Sequence, residues 1–231
     1  MASQSRARRI LLTRPADQGA RFAHDLRDRF GEAIEIAHSP LLAPRMLAPV
    51  LPDGPFDAVV FTSETAVAAA ASPGLPRLAF TVGDRTAQAA QAAGFRTLSA
   101  SGDAEALVSL LLQAKPGRVL HLHGQETRGD VVGHLRRAGV LAEGVVVYAQ
   151  APQPLTAQAQ GWLDGDRPII VPLFSPRTAT LFSANHANAP LWLASLSPAV
   201  DAAATLPAAR RITAARPDAD AMLDAVATLL R

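Results

Sequence analysis

Apolar and polar positions recur along this chain with two different periods. Short apolar runs such as Ile10-Leu11-Leu12-Thr13 and Asp57-Ala58-Val59-Val60-Phe61 read as buried strands. Longer stretches between them carry helical spacing. Asp17 to Phe30 puts Phe22, Leu26 and Phe30 on one side and Arg21, Asp25 and Arg29 elsewhere, and Gly31 ends it. Ala33 to Ala37 is a second predicted strand. Pro40, Pro44, Pro49, Pro52 and Pro55 then disfavour helix and mark an extended linker.

From Asp57 the two periods alternate. Strands are predicted at Asp57–Phe61, Leu78–Val82, Phe95–Ser99, Arg118–Leu122 and Gly144–Tyr148. Helices fall between them at Glu64–Ala71, Ala87–Ala93, Ala104–Ala114 and Asp130–Ala138, with Gly94 and Gly139 as stops. The last third continues with helices at Thr156–Leu163, Arg177–Ala184, Pro198–Thr205 and Ala219–Leu230. Its strands are Ile169–Phe174, Leu191–Leu196 and Arg211–Ala214. Strands alternating with helices of this length imply βαβ crossovers and a parallel sheet.

The clearest unit is Val59 to Val67, a strand that runs through Thr62 and Ser63 into an alanine-rich helix. Ser63 is a candidate helix N-cap. Open α/β sheets bind ligands at such a strand end, and a helix start offers free N–H groups to an anion. The pattern returns about 113–115 residues later, as expected of two duplicated lobes. Phe61-Thr62-Ser63 falls on Phe174-Ser175-Pro176, Val82-Gly83-Asp84 on Leu196-Ser197-Pro198, and Leu98-Ser99-Ala100 near Ile212-Thr213-Ala214.

Composition narrows the function. The chain has 231 residues, 49% of them hydrophobic, enough for one large domain or two small ones. No apolar run is long enough and free enough of charge to span a membrane. No signal-peptide core follows the basic start, and there is no cysteine, so a cytoplasmic protein without disulfides or thiolate ligands is expected. The formal net charge is +2, and Lys115 is the only lysine. The cations are otherwise arginines, which favour carboxylates or phosphates, although a genome rich in G and C gives the same bias. Dispersed charge and 5% aromatic content argue against nucleic acid as a partner.

Taken together, these motifs resemble the uroporphyrinogen-III synthase family. The resemblance rests on Leu12-Thr13-Arg14-Pro15, Phe61-Thr62-Ser63, Val82-Gly83-Asp84-Arg85-Thr86-Ala87, Gly124 with Arg128, Val147-Tyr148, Phe174-Ser175-Pro176 and the closing helix after Pro217. It implies an α/β fold of two Rossmann-like (flavodoxin-like) parallel-sheet lobes joined by a two-stranded extended linker. Residues 8–36 with 153–231 would form one lobe and 46–144 the other, with 37–45 and 145–152 as the connections.

The resemblance also implies a monomeric, cofactor-free enzyme of tetrapyrrole synthesis. Linear hydroxymethylbilane, supplied by hydroxymethylbilane synthase as a candidate partner, would close to uroporphyrinogen III with inversion of ring D and loss of water. The substrate is a flexible polycarboxylate that closes unassisted without inversion, so positioning is the main task, with one proton donor for the leaving hydroxyl. Tyr148, the only tyrosine, matches the family's cleft tyrosine. Arg14, Thr62, Ser63, Gly83, Thr86, Arg128 and Ser175 match its substrate-binding positions.

Two departures stand out. Ser197-Pro198-Ala199-Val200 lacks the glycine and threonines usual in the family, and Pro172 is expected to remove one hydrogen bond from a central strand. They motivate an alternative, a weakened or non-catalytic relative that binds a tetrapyrrole or another acidic ligand. An unrelated two-lobe α/β binding protein is the third reading. His121 and His123 alternate on a strand and would share a face, but no third metal ligand is apparent and no metal site is predicted. The G-x-G-x-x-G dinucleotide pattern is absent.

Overall fold

A computed structural model describes residues 7–70, 74–127 and 129–231. In chain order the elements are β1 (Arg8–Leu12), α1 (Ala16–Phe30), β2 (Ile34–His38), β3 (Leu42–Met46), β4 (Ala58–Phe61), α2 (Glu64–Ala69), β5 (Leu78–Thr81) and α3 (Asp84–Ala92). Next come β6 (Arg96–Ser99), α4 (Ala104–Ala114), β7 (Arg118–Gly124), α5 (Val131–Arg137) and β8 (Leu141–Pro152). The chain ends with α6 (Ala157–Leu163), β9 (Ile169–Leu173), α7 (Pro176–Ser183), β10 (Leu191–Ser195), α8 (Pro198–Ala203), β11 (Arg210–Thr213) and α9 (Ala219–Leu230). Two compact units result. One is the chain up to Ala43 together with Pro152–Arg231, the other Pro44–Ala151.

The segments expected as connections, 37–45 and 145–152, carry sheet hydrogen bonds. Leu42–Met46 is an edge strand beside β8, and 145–152 is the second half of that twelve-residue strand. Pro44 is tolerated because an edge strand has one side with no partner to serve. The predicted strand at Ala33 begins instead at Ile34, after a 3₁₀ turn over Gly31–Ala33. The helix predicted from Glu64 ends at Ala69, and Ala71 lies outside the described residues.

The first unit has five parallel strands in the order β11-β10-β9-β1-β2. Setting β3 aside, the second runs β6-β5-β4-β7-β8, also parallel. These are one arrangement read from different starting points along the chain: β9-β10-β11 correspond to β4-β5-β6, and β1-β2 to β7-β8. Helix caps confirm the match. Asp103 and Asp218 each accept from the N–H three residues on, at 3.0 and 2.8 Å, at the starts of α4 and α9. Caps also correct the register of the repeat. Ser63 and Ser175 both cap helices with nearly equal backbone angles, so Thr62 corresponds to Phe174, one position from the expected pairing.

Both faces of each sheet are buried, which is why the strands read as continuous apolar runs. In the first unit Leu11, Val171 and Leu193 pack against Trp162, Phe182 and Val200, while Ile10, Leu12 and Ile170 pack against Phe22, Leu26, Met222 and Val226. In the second, Val59, Phe61 and Leu120 face Ala66, Val67 and Ala90, and Ala58, Val60 and Val119 face Leu107, Leu111 and Leu135.

Pro172 does not break its strand. It is buried and stays in register with Ala194. Leu173 O accepts from Leu196 N–H at 2.9 Å, so Leu173 faces β10 and Pro172, one residue away, faces β1. Among the described residues β1 and β9 pair only at Arg9–Ile169 and Ile10–Ile170. The next bridge, Leu11–Val171, would need an N–H on residue 172 to donate to Leu11 O, so the ladder stops here and the one hydrogen bond expected to be lost is lost.

Asp103 satisfies two N–H groups of α4, those of Glu105 and Ala106. Asp103→Ala is expected to lower stability by about 1 kcal/mol, with Asp103→Asn close to wild type, in urea unfolding. Equal midpoints for all three proteins would show that the cap contributes nothing.

Candidate functional site

In open parallel sheets a crevice opens at the carboxyl ends of the two strands where the order reverses. In the second unit those strands are β4 and β7, and the residues just past β4 are Thr62 and Ser63. Ser63 starts α2 in an extended conformation, and its Oγ accepts from Ala66 N–H at 3.2 Å. The same Oγ lies 3.1 Å from the Tyr148 hydroxyl. Tyr148 reaches it because the β7–β8 register shifts after His123 and sets Gly124 opposite Tyr148. A Cβ at position 124 would come within 2.5–2.8 Å of the phenol ring, so glycine there makes room for the ring.

Thr62 Oγ1 lies 3.3 Å from Nε2 of His121. This histidine is 2% exposed and stacks on His123, with ring centroids 4.7 Å apart. The expectation that the two share a face holds. Both rings line a cavity of about 410 Å³ together with Asp130 and Arg136. Burial, and secondarily the neighbouring His123, push the His121 pKa down to about 3. Among the described residues no group of three His, Asp or Glu side chains could hold a metal ion.

Gly83 and Thr86 occupy the neighbouring β5–α3 corner. Gly83 has φ −133° and ψ 159°, extended backbone open to any residue, and a Cβ there would meet nothing within 4 Å. The protein itself does not require a glycine at this point; the space in front of it is free. Thr86 is buried in the first turn of α3. Arg128 lies outside the described residues.

In the first unit the order reverses between β1 and β9. Arg14 follows β1, and its guanidinium sits 3.8 Å from the Phe174 ring centroid and donates to Gln18 Oε1 at 3.2 Å. Its Nε is buried without a partner, and no carboxylate among the described residues pairs with it. Burial, and then nearby Arg21, hold its pKa below the usual arginine value. Ser175, next to Phe174, caps α7 by accepting from Thr178 N–H at 3.2 Å and donates to Thr178 Oγ1 at 2.9 Å. Both corners thus present hydroxyls at strand ends, and the first adds a cation without a counterion. Sequence reasoning missed two partners, Phe174 under Arg14 and His121 behind Thr62. Both depend on which strands become neighbours, and no local pattern reports that.

A family model described as uroporphyrinogen-III synthase HemD matches residues 20–224. The chain belongs to the uroporphyrinogen-III synthase family. With membership comes the synthase function, a step of tetrapyrrole biosynthesis on a tetrapyrrole substrate. A solved uroporphyrinogen-III synthetase from Helicobacter pylori is 21% identical over 97% of this chain and 100% of its own, with a TM-score of 0.63, and shares the fold. A mutant uroporphyrinogen III synthase from Thermus thermophilus is 15% identical over 97% and 99%, with a TM-score of 0.45. Among curated proteins no sequence matches. No helix of the described residues is long and apolar enough to cross a membrane.

The buried histidine gives this synthase a pH signature. Unfolded, His121 takes a proton below its ordinary value of 6.5; folded, it takes one only near 3. Stability is therefore lost as pH falls from 6.5 towards 3, and nothing is gained from this group above 6.5. Urea unfolding at pH 7 and 4.5 is expected to show a smaller acid loss in His121→Phe than in wild type. An equal loss in the two proteins would contradict a buried neutral imidazole.

Proposed function

We propose that this synthase closes hydroxymethylbilane to uroporphyrinogen III without a cofactor. Thr62, Ser63, Gly83 and Thr86 of the second unit, and Arg14 and Ser175 of the first, bind the substrate, and Arg128, which lies outside the described residues, is assigned the same role. Tyr148 is the proton donor. The contact between Tyr148 and Ser63, 3.1 Å at the β4–β7 strand ends, is the observation that supports this reading best. It holds the phenol at the carboxyl edge of the sheet, where a ligand is expected.

The chemistry follows from what these groups can do. The phenol protonates the departing hydroxyl, the C–O bond breaks, and water leaves. The substituted α-carbon of ring D attacks the carbon that lost water, giving a spiro intermediate; its old bond to the ring C bridge then breaks, and the free α-carbon of ring D bonds that bridge carbon instead. The proton released from the closing ring restores the phenol, so the cycle is neutral. Positioning accounts for the inverted ring D, because free substrate closes without inversion. Arg14 suits a carboxylate, since it is desolvated and lacks an acidic partner. The departure at Ser197 leaves its corner intact. Ser197 has φ −158° and ψ 165°, extended like Gly83, so its side chain fits without strain. Nothing in that backbone favours the non-catalytic alternative. Hydroxymethylbilane synthase is the supplier of the substrate in this reading, and the synthase acts as a monomer.

The test mixes purified protein with freshly generated hydroxymethylbilane and separates the oxidised products by isomer. Type III in excess over spontaneous type I is expected. Type I alone, at the rate of a blank without protein, would overturn the function. Tyr148→Phe should lower kcat by roughly 100-fold while the product remains type III, the size of effect typical of a lost general acid. An unchanged kcat would remove Tyr148 as the donor.

A further inference from the structure

His121 has no role in the chemistry above, and its surroundings make its place in β7 costly. It is paired between Val60 of β4, a core residue, and Gly144 of β8, and it is 2% exposed. Its Nε2 meets Thr62 Oγ1 at 3.3 Å, and its Nδ1 is buried without a partner. A neutral imidazole carries its proton on one nitrogen and a lone pair on the other. The two tautomers differ sharply here. With the proton on Nδ1, a buried N–H is left with no acceptor, a rare and costly condition; with the proton on Nε2, only a lone pair is unsatisfied. Stacked His123 does not relieve Nδ1, since its own Nδ1 is engaged with Gly124 O at 2.8 Å.

We infer that His121 is a positioning residue that turns Thr62 into an obligate hydrogen-bond donor for a substrate carboxylate. Nε2–H donates to Thr62 Oγ1, so the hydroxyl proton of Thr62 cannot point back at the ring. It points away, at the carboxyl edge of the sheet, where it meets an acceptor. Without the ring's N–H, the hydroxyl is free to rotate and present lone pairs, which repel a carboxylate. The inference rests on the synthase reading for the identity of the substrate and on local geometry alone for the orientation of Thr62. In the first unit the residue that corresponds to Thr62 is Phe174, under the Arg14 guanidinium. The same position thus carries a cation over an aromatic ring in one unit and a fixed hydroxyl donor in the other, two solutions suited to one class of anionic group.

The first test reads the tautomer directly. Two-bond proton–nitrogen correlation spectra of the full chain labelled with ¹⁵N-histidine, assigned by comparison with His121→Phe, are expected to show His121 protonated on Nε2. Protonation on Nδ1 would overturn the inference without any substrate present. The second test is a kinetic cycle with hydroxymethylbilane. His121→Phe keeps a ring of similar volume but no donor, and should raise KM by roughly tenfold or more with little change in kcat, as for a lost hydrogen bond to a charged group. His121→Gln, which can place an N–H near the Nε2 position, should recover much of that loss. In a Thr62→Val background His121→Phe should add no further effect, because it acts only through Thr62. Additive losses, or equal losses in the Phe and Gln variants, would overturn the positioning role. Failure of the wild-type protein to form type III isomer would overturn the synthase reading instead, and the tautomer would still decide how Thr62 is held.

Discussion

Parallel strand pairing is the constraint on which the rest of this protein depends. Every strand of a parallel sheet must be followed by a crossover, so all strand carboxyl ends and the helix starts that follow them lie along one edge. Where the order reverses, successive crossovers run to opposite sides and two neighbouring strand ends part. In one unit these are β4 and β7, in the other β1 and β9. Thr62, Ser63, Arg14 and Ser175 lie at these ends, and Tyr148 reaches the first of them through the register shift at Gly124.

The same edge is where polar groups enter the core. Thr13 and Thr81 end or follow buried strands with their hydroxyls unpaired, and His121 lies deeper still. Each such group costs about 1–3 kcal/mol when left unsatisfied. The apolar strands behind them, covered by helices on both faces, offset that cost. Stability is thus supplied by the strand interiors and given up at the carboxyl edge, where hydroxyls, an imidazole and an unneutralised guanidinium are held ready for a ligand. A polycarboxylate with several acid groups suits an edge that presents donors rather than one deep pocket.

Much of this was legible in the sequence because it is local. The alternating periods of Ile10–Thr13, Asp57–Phe61 and Asp17–Phe30 gave the strands and helices, and Ser63 could be read as a cap from its place between strand and helix. What failed was non-local. The prolines from Pro40 to Pro55 marked an extended stretch but not which of its residues pair, and Leu42–Met46 pairs with β8. The repeat slipped by one position at Thr62, because Phe61 and Phe174 align by residue type whereas the caps at Ser63 and Ser175 align by geometry. His121 read as a strand residue whose partner, Thr62, is 59 positions away.

The central claim is that the carboxyl edges at the two order reversals bind the tetrapyrrole. The most direct measurement is a ¹⁵N amide spectrum of the whole chain titrated with uroporphyrin III, the oxidised form of the product. The account predicts that shifts concentrate at residues 62–66, 83–86, 124 and 148 and at 14 and 174–178. Shifts concentrated instead at the amino ends of the strands, around Arg118, Leu141 and Arg210, or no shifts at saturating ligand, would contradict it.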